Sequence, residues 1–99
     1  MTAKAIKLNP ASIRDWLQGR TGWTRKGNAI VKSYHFESFR NAIVFVNRLA
    51  TLADAADHHP DIDIRYDHVR VALSTHSAGG ITDQDTAMAE QIDFATSSR

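Results

Sequence analysis

Residues 54–85 read DAADHHPDIDIRYDHVRVALSTHSAGGITDQD, and this stretch decides how the chain folds. Pro60 disfavours helical backbone at His59, so a helix arriving from upstream has to stop at the His58-His59 pair. Beyond Pro60 the pattern becomes strict alternation. Ile62, Ile64 and Tyr66 fall on one side and Asp61, Asp63 and Arg65 on the other; Val69, Val71 and Leu73 then alternate with Arg70, Ala72 and Ser74. Such period-two runs predict two half-buried strands. With Asp67-His68 as a two-residue turn, Tyr66 faces Val69, Ile64 faces Val71 and Ile62 faces Leu73, all on one side of the sheet. Extending that ladder sets His59 opposite His76, and directly opposed Cβ atoms lie about 5 Å apart. His58, His59 and His76 are thereby expected to converge within about 10 Å at one strand end. The stretch holds four of the five histidines and seven of the nine acids beyond residue 50, so the chemistry is expected here.

Upstream, Ser38 is a good N-cap for a long helix. Phe39, Ala42, Ile43, Val46, Leu49, Ala50 and Ala53 recur at helical spacing and form its apolar stripe. Asp54 and Asp57 lie on its last turn, beside the histidines. Before it, Trp23 starts a short strand, Gly27-Asn28 supplies a hairpin turn, and Ala29 to Phe36 forms a second strand. Ile30, Tyr34 and Phe36 share one face of that strand, where Lys32 is the exception; Trp23 reads as a core aromatic. A short helix opens near Pro10 and Ser12, runs through Ile13, Trp16 and Leu17, and ends at Gly19 to Gly22. Downstream, Ser77 to Gly80 reads as a flexible connector. Thr82-Asp83-Gln84-Asp85 matches a capping box that opens a final helix carrying Ala87, Met88, Ile92 and Ala95. The order α-β-β-α-β-β-α predicts an α+β domain over residues 1–99, a four-stranded antiparallel sheet with three helices packed on one face. Residues 1–11 and 96–99 are expected to be loosely held.

Composition narrows the function. With no cysteine, disulfides, thiolate zinc sites and cysteine nucleophiles are excluded. The first sixteen residues have no apolar core of a signal peptide, and the longest wholly apolar run is Ala42 to Val46, so a cytoplasmic protein is the expectation. Residues 1–50 carry nine Lys/Arg against two acids, and residues 51–99 three against nine. The basic residues are scattered singly and no recognition motif accompanies them, so neither nucleic acid nor a membrane is an expected partner. Three histidines beside aspartates could also hold zinc or iron, although adjacent His-His meets one metal only with an awkward backbone.

The spacing Asp54-x-x-x-His58-His59-Pro60, with Tyr66, His76 and Asp85 at their intervals, resembles the signature of the pterin-4a-carbinolamine dehydratase family. The likeness extends through Gly22-Trp23 and Ile30-Val31-Lys32-x-Tyr34-His35-Phe36, covering roughly residues 13–95. It implies removal of water from 4a-hydroxytetrahydropterin, such as 4a-hydroxytetrahydrobiopterin, giving quinonoid dihydropterin in tetrahydropterin recycling after an aromatic amino-acid hydroxylase. By that pattern His58, His59 and His76 are the catalytic histidines. Asp54, Asp57 and Asp85 are their supporting carboxylates, and Ser74 and Thr75 hold the pterin ring. The reaction needs a proton donor and acceptor but no cofactor or metal, and imidazole serves either role near neutral pH. Two departures stand out: Asp54 where animal relatives carry Glu, and Gln84 where relatives often carry a basic residue. Free sheet edges, together with the family's habit of pairing sheets between subunits, imply a homodimer or homotetramer. The rival readings are a dimerisation cofactor or transcriptional co-regulator on the same fold, and a His/Asp metal-binding protein.

Overall fold

Asn9 and Pro10 start the first helix, α1 (Pro10–Gln18), in the computed structural model, which describes residues 5–97. The Asn9 side chain accepts the Ser12 N–H at 2.8 Å, and Pro10 sits in the first turn, where its missing donor is not needed. Two strands follow, β1 (Thr24–Lys26) and β2 (Ala29–His35), joined through Gly27-Asn28 with Gly27 at φ 59°. Ser38 caps α2 (Phe39–Ala56) through the Asn41 N–H. Then come β3 (Asp61–Arg65), β4 (His68–Leu73) and α3 (Asp83–Ser97). The strands make one antiparallel sheet in the order β1-β2-β4-β3.

Alternation sorts the sheet into two faces, and the three helices cover one of them. Ile30, Tyr34, Val69, Val71 and Leu73 are buried there against Ile13, Ala42, Phe45, Leu49, Met88 and Ile92. On α2 the buried stripe runs through Ala42, Phe45, Leu49 and Ala53, while Phe39, expected inside, is 49% exposed. Lys32 does lie on the covered face, and its surroundings explain it. Its ammonium meets Asp93 at 2.8 Å, and the same carboxylate accepts Tyr34 Oη–H at 2.6 Å and Trp23 Nε1–H at 2.8 Å. Trp23 is accordingly a core aromatic with its one donor satisfied. Lys7 and Leu8 fall in a segment expected to be loose, yet the Leu8 N–H donates to the Ile81 carbonyl at 2.8 Å and Lys7 bridges Thr82. α3 likewise runs through Thr96 to Ser97; residues 1–4 and 98–99 lie outside the described residues.

The hairpin register differs from the expected one. Tyr66-Asp67 forms the loop, so Arg65 faces His68, Ile64 faces Val69 and Ile62 faces Val71. Tyr66 takes φ 55° and is 71% exposed, and the Phe36 N–H donates to the Asp67 carbonyl at 2.9 Å, tying the loop to the end of β2. The pairing has slipped by two positions along β4, an even number, so every residue keeps its face. Carried past Asp61 opposite Ala72, the ladder would bring His59 level with Ser74 rather than His76.

How α2 ends matters for the site. Asp57 adopts the left-handed conformation, φ 50° and ψ 44°. Its N–H donates to the Asp54 carbonyl at 3.3 Å and the His58 N–H reaches back to Ala53 at 3.1 Å, which is the Schellman arrangement with His58 just beyond the stop. A short polar side chain tolerates this backbone and a β-branched one does not. Replacing Asp57 by Val should lower the unfolding free energy by about 1–2 kcal/mol, with Asp57→Asn and Asp57→Gly near wild type. Equal urea midpoints for Val and Gly would mean that the turn is not the left-handed stop described.

Candidate active site

Three elements deliver side chains to one fully buried carboxylate. Asp85, in the first turn of α3, is 0% exposed. Its Oδ2 accepts the Thr82 N–H at 2.8 Å and the Thr75 hydroxyl at 2.9 Å, and its Oδ1 lies 2.6 Å from His58 Nε2. Thr82 Oγ1 in turn accepts the Gln84 N–H at 3.2 Å, completing the helix cap, and lies 2.7 Å from Thr75 Oγ1. Proton counting fixes the direction of each bond. Thr75 spends its only hydroxyl proton on Asp85, so Thr82 must donate to Thr75, and His58 must donate Nε2–H because a carboxylate only accepts. The chain therefore runs from Gln84 through Thr82 and Thr75 into Asp85, with His58 entering from the other side. His58 Nδ1 is left without a protein partner among the described residues, and since no polar atom of a non-exposed side chain is buried unpaired, it opens to solvent. A concavity of about 190 Å³, lined by Ala56, His58, Gln84, Ala87, Met88 and Gln91, borders this ring. A larger groove of about 690 Å³ between α2 and α3, past Arg48, Leu52 and Phe94, is lined by none of the histidines.

The other expected site residues divide. His59 is exposed and its Nε2 lies 2.9 Å from Asp54 Oδ1 on the last turn of α2, so the shorter Asp still reaches the ring. Asp57 is exposed, and its carboxylate has no hydrogen bond or ion pair among the described residues; its backbone makes the left-handed stop of α2. β4 stops at Leu73, so His76 is not on the strand and does not oppose His59. It opens a short 3-10 turn, His76–Ala78, exposed and one residue beyond the buried Thr75. The connector expected to be flexible is closed at its neck: the Thr75 N–H donates to Gly80 at 2.8 Å and the Gly80 N–H returns to Thr75 at 3.3 Å. Gly79, at φ 75°, makes the reversal. Ser74 is half-buried at the strand end, whereas the Thr75 hydroxyl is committed to the network. Thr82 is the member that the sequence reading placed only as a cap; its spacing to Asp85 was visible, but its contact with Thr75 was not. Gln84, in place of a basic residue, leaves Asp85 held by three hydrogen-bond donors without a Lys or Arg.

Truncating Asp85 removes at once the acceptor of the Thr82 N–H, the Thr75 hydroxyl and His58 Nε2–H. Asp85→Ala should cost about 3 kcal/mol or more in urea unfolding, and Asp85→Asn about 1–2 kcal/mol because one carbonyl acceptor remains. An alanine variant within about 0.5 kcal/mol of wild type would contradict the network, since that is what a surface substitution does.

Comparison with known proteins identifies the family. The family model described as pterin 4 alpha carbinolamine dehydratase matches residues 6–95. A Roseiflexus castenholzii relative is 54% identical over 89 residues, 90% of this chain and 96% of its own length. One from Thermomicrobium roseum is 51% identical over 86 residues, 87% of this chain and 92% of its own. The names of both assign them to that dehydratase family. The crystal structure of a transcriptional coactivator/pterin dehydratase from Brucella melitensis superposes with a TM-score of 0.85 at 32% identity, over 88% of this chain and 95% of that one. A pterin dehydratase-like protein identified as a RuBisCO assembly factor shares the fold at 24% identity and a TM-score of 0.59. The matched span includes every residue of the Asp85 network and all three candidate histidines, and on that footing the chain belongs to the pterin 4 alpha carbinolamine dehydratase family.

Proposed function

We propose that this chain dehydrates a 4a-hydroxytetrahydropterin, 4a-hydroxytetrahydrobiopterin among them, using His58, His59 and His76. The observation that carries the reading is the Asp85–His58 pair: a buried carboxylate holds one ring nitrogen at 2.6 Å while the other has no protein partner among the described residues. In the reaction the C4a–O bond breaks as the hydroxyl takes a proton and leaves as water. N5 gives up its proton, and its bonding pair becomes the C4a=N5 double bond. No electrons are exchanged with another molecule. His58 is the acid, because Asp85 sets a negative charge against the ring that must carry the second proton; Nδ1 delivers it. His76, on its pinned turn, accepts the N5 proton, and His59 with Asp54 orients the ring. Ser74 offers polar groups to the pterin at the end of β4. Thr75 acts through Asp85, and Asp57 by setting the chain direction into His58. The product suits recycling of a tetrahydropterin consumed by an aromatic amino-acid hydroxylase.

Self-association belongs to the same reading. β3 is an edge strand outside the helix cover, and its Ile62 and Ile64 are 36% and 37% exposed on the face that should be apolar. An edge of this kind is managed by pairing or by charge, and only the opposite face of β3 carries charges, Asp61, Asp63 and Arg65. A homodimer or homotetramer is expected from that edge. Among the described residues no helix is long and apolar enough to cross a membrane.

Freshly generated 4a-hydroxytetrahydropterin is the test substrate. His76→Ala should slow its dehydration at least about 10²-fold with an unchanged melting temperature, because the exposed ring supports nothing else. His58→Gln should slow it similarly while keeping a donor for Asp85, and Asp57→Gly should retain the wild-type rate. Full activity of His76→Ala would remove the proposed base. In sedimentation, Ile62→Lys with Ile64→Lys should shift the assembly toward monomer; a wild-type monomer at all concentrations would end the edge-pairing proposal.

A further inference from the structure

Two histidines stand outside this site. His35 ends β2 and His68 begins β4 directly opposite it in the ladder, both on the sheet face that the helices leave open. Their rings stack with centroids 4.2 Å apart and planes 12° from parallel. Stacking aims one nitrogen of each ring at the same carboxylate. His35 Nε2 lies 3.1 Å from Asp67 Oδ2, and His68 Nδ1 lies 2.8 Å from Oδ1. One ligand atom from each of the three residues lies within 4.8 Å of the other two. The backbone beneath them is fixed by the β2–β4 pairing and by the bond from Phe36 to the Asp67 carbonyl. Burial works against ionisation of Asp67, but the hydrogen bonds from His35 and His68 outweigh it and hold the carboxyl below the usual carboxylate range.

We propose that His35, Asp67 and His68 form a binding site for a divalent transition-metal ion of the zinc type, separate from the dehydratase site. Two imidazole nitrogens and a carboxylate oxygen are a donor set suited to such ions, with bonds of about 2.0–2.2 Å. A tetrahedral ion then spaces its ligand atoms by about 3.4 Å. The two carboxylate contacts, one to each Asp67 oxygen, are already that short, and with one atom from each residue within 4.8 Å of the others, rotation of the carboxylate and of the two exposed rings closes the set around an ion. The ion takes the place of the N–H···O bonds. Each ring carries its remaining proton on its other nitrogen, where side chains 65% and 56% exposed find water as acceptor. Arg65, opposite His68, is engaged by Asp63 at 3.2 Å. His68 begins β4 and Thr75 lies two residues beyond its end at Leu73, the strand alone spanning about 17 Å at strand rise, so an ion here leaves the Asp85 network untouched.

The test uses the full chain without an affinity tag, stripped with a chelator and titrated with Zn2+ by calorimetry. One ion per chain should bind in the micromolar range. His35→Gln and His68→Gln should each weaken it at least about tenfold, and the double variant should abolish it. Cu2+ bound to the wild-type chain should give an electron-spin resonance spectrum with coupling to two imidazole nitrogens, a readout that needs no variant to fold. His76→Gln should bind Zn2+ as wild type does. Absence of micromolar binding, binding retained by the double variant, or binding lost in His76→Gln would each overturn the proposal.

Discussion

The buried carboxylate of Asp85 is the constraint on which the site depends. Removing a carboxylate from water costs several kcal/mol unless its oxygens are filled with donors, and three converge here. They come from three places: the residue after the α2 stop, the end of β4, and the cap of α3. Satisfying the charge and assembling the site are therefore one event. The network also orients His58, since the Nε2–H bond to Asp85 fixes which nitrogen is left outside the network.

Around that carboxylate the backbone supplies stops rather than flexibility. The left-handed Asp57 turns the chain so that His58 points back toward α3, and the Thr75–Gly80 pairing closes the loop that carries His76. At the other end of α3, a second carboxylate, Asp93, gathers Trp23, Lys32 and Tyr34. Burial there, reinforced by the Asp93 hydrogen bond and charge, pushes Tyr34 ionisation far above its ordinary range, so its hydroxyl remains a donor. α3 is thus pinned by two acids of its own, one holding His58 and one facing the sheet.

Much of this was legible along the chain. Alternation in 61–73 and helical spacing in 39–53 gave the elements, although on α2 Phe39 and Ala50 are exposed and Phe45 is buried in the core, and Thr82-x-x-Asp85 gave the cap that proved to be half of the network. The hairpin register was not legible, because a slip of two residues keeps every apolar side chain on the apolar face. Only the conformation of Tyr66 and the tie from Phe36 to Asp67 separate the two pairings. Lys32 looked anomalous for the converse reason: its partner Asp93 is 61 residues away.

By itself, then, the sequence determined an α-β-β-α-β-β-α order, which residues share a face of each strand, and a set of histidines and acids with a recognisable spacing, because these follow from local period and local chemistry. Tertiary structure alone decided which acid holds which histidine. Asp85 lies 27 residues from His58 yet binds it, while Asp57, next in sequence, spends its conformational freedom on the turn. Proximity along the chain could not predict this, because only packing α3 against the end of α2 excludes water from the pair and makes a hydrogen bond between them necessary.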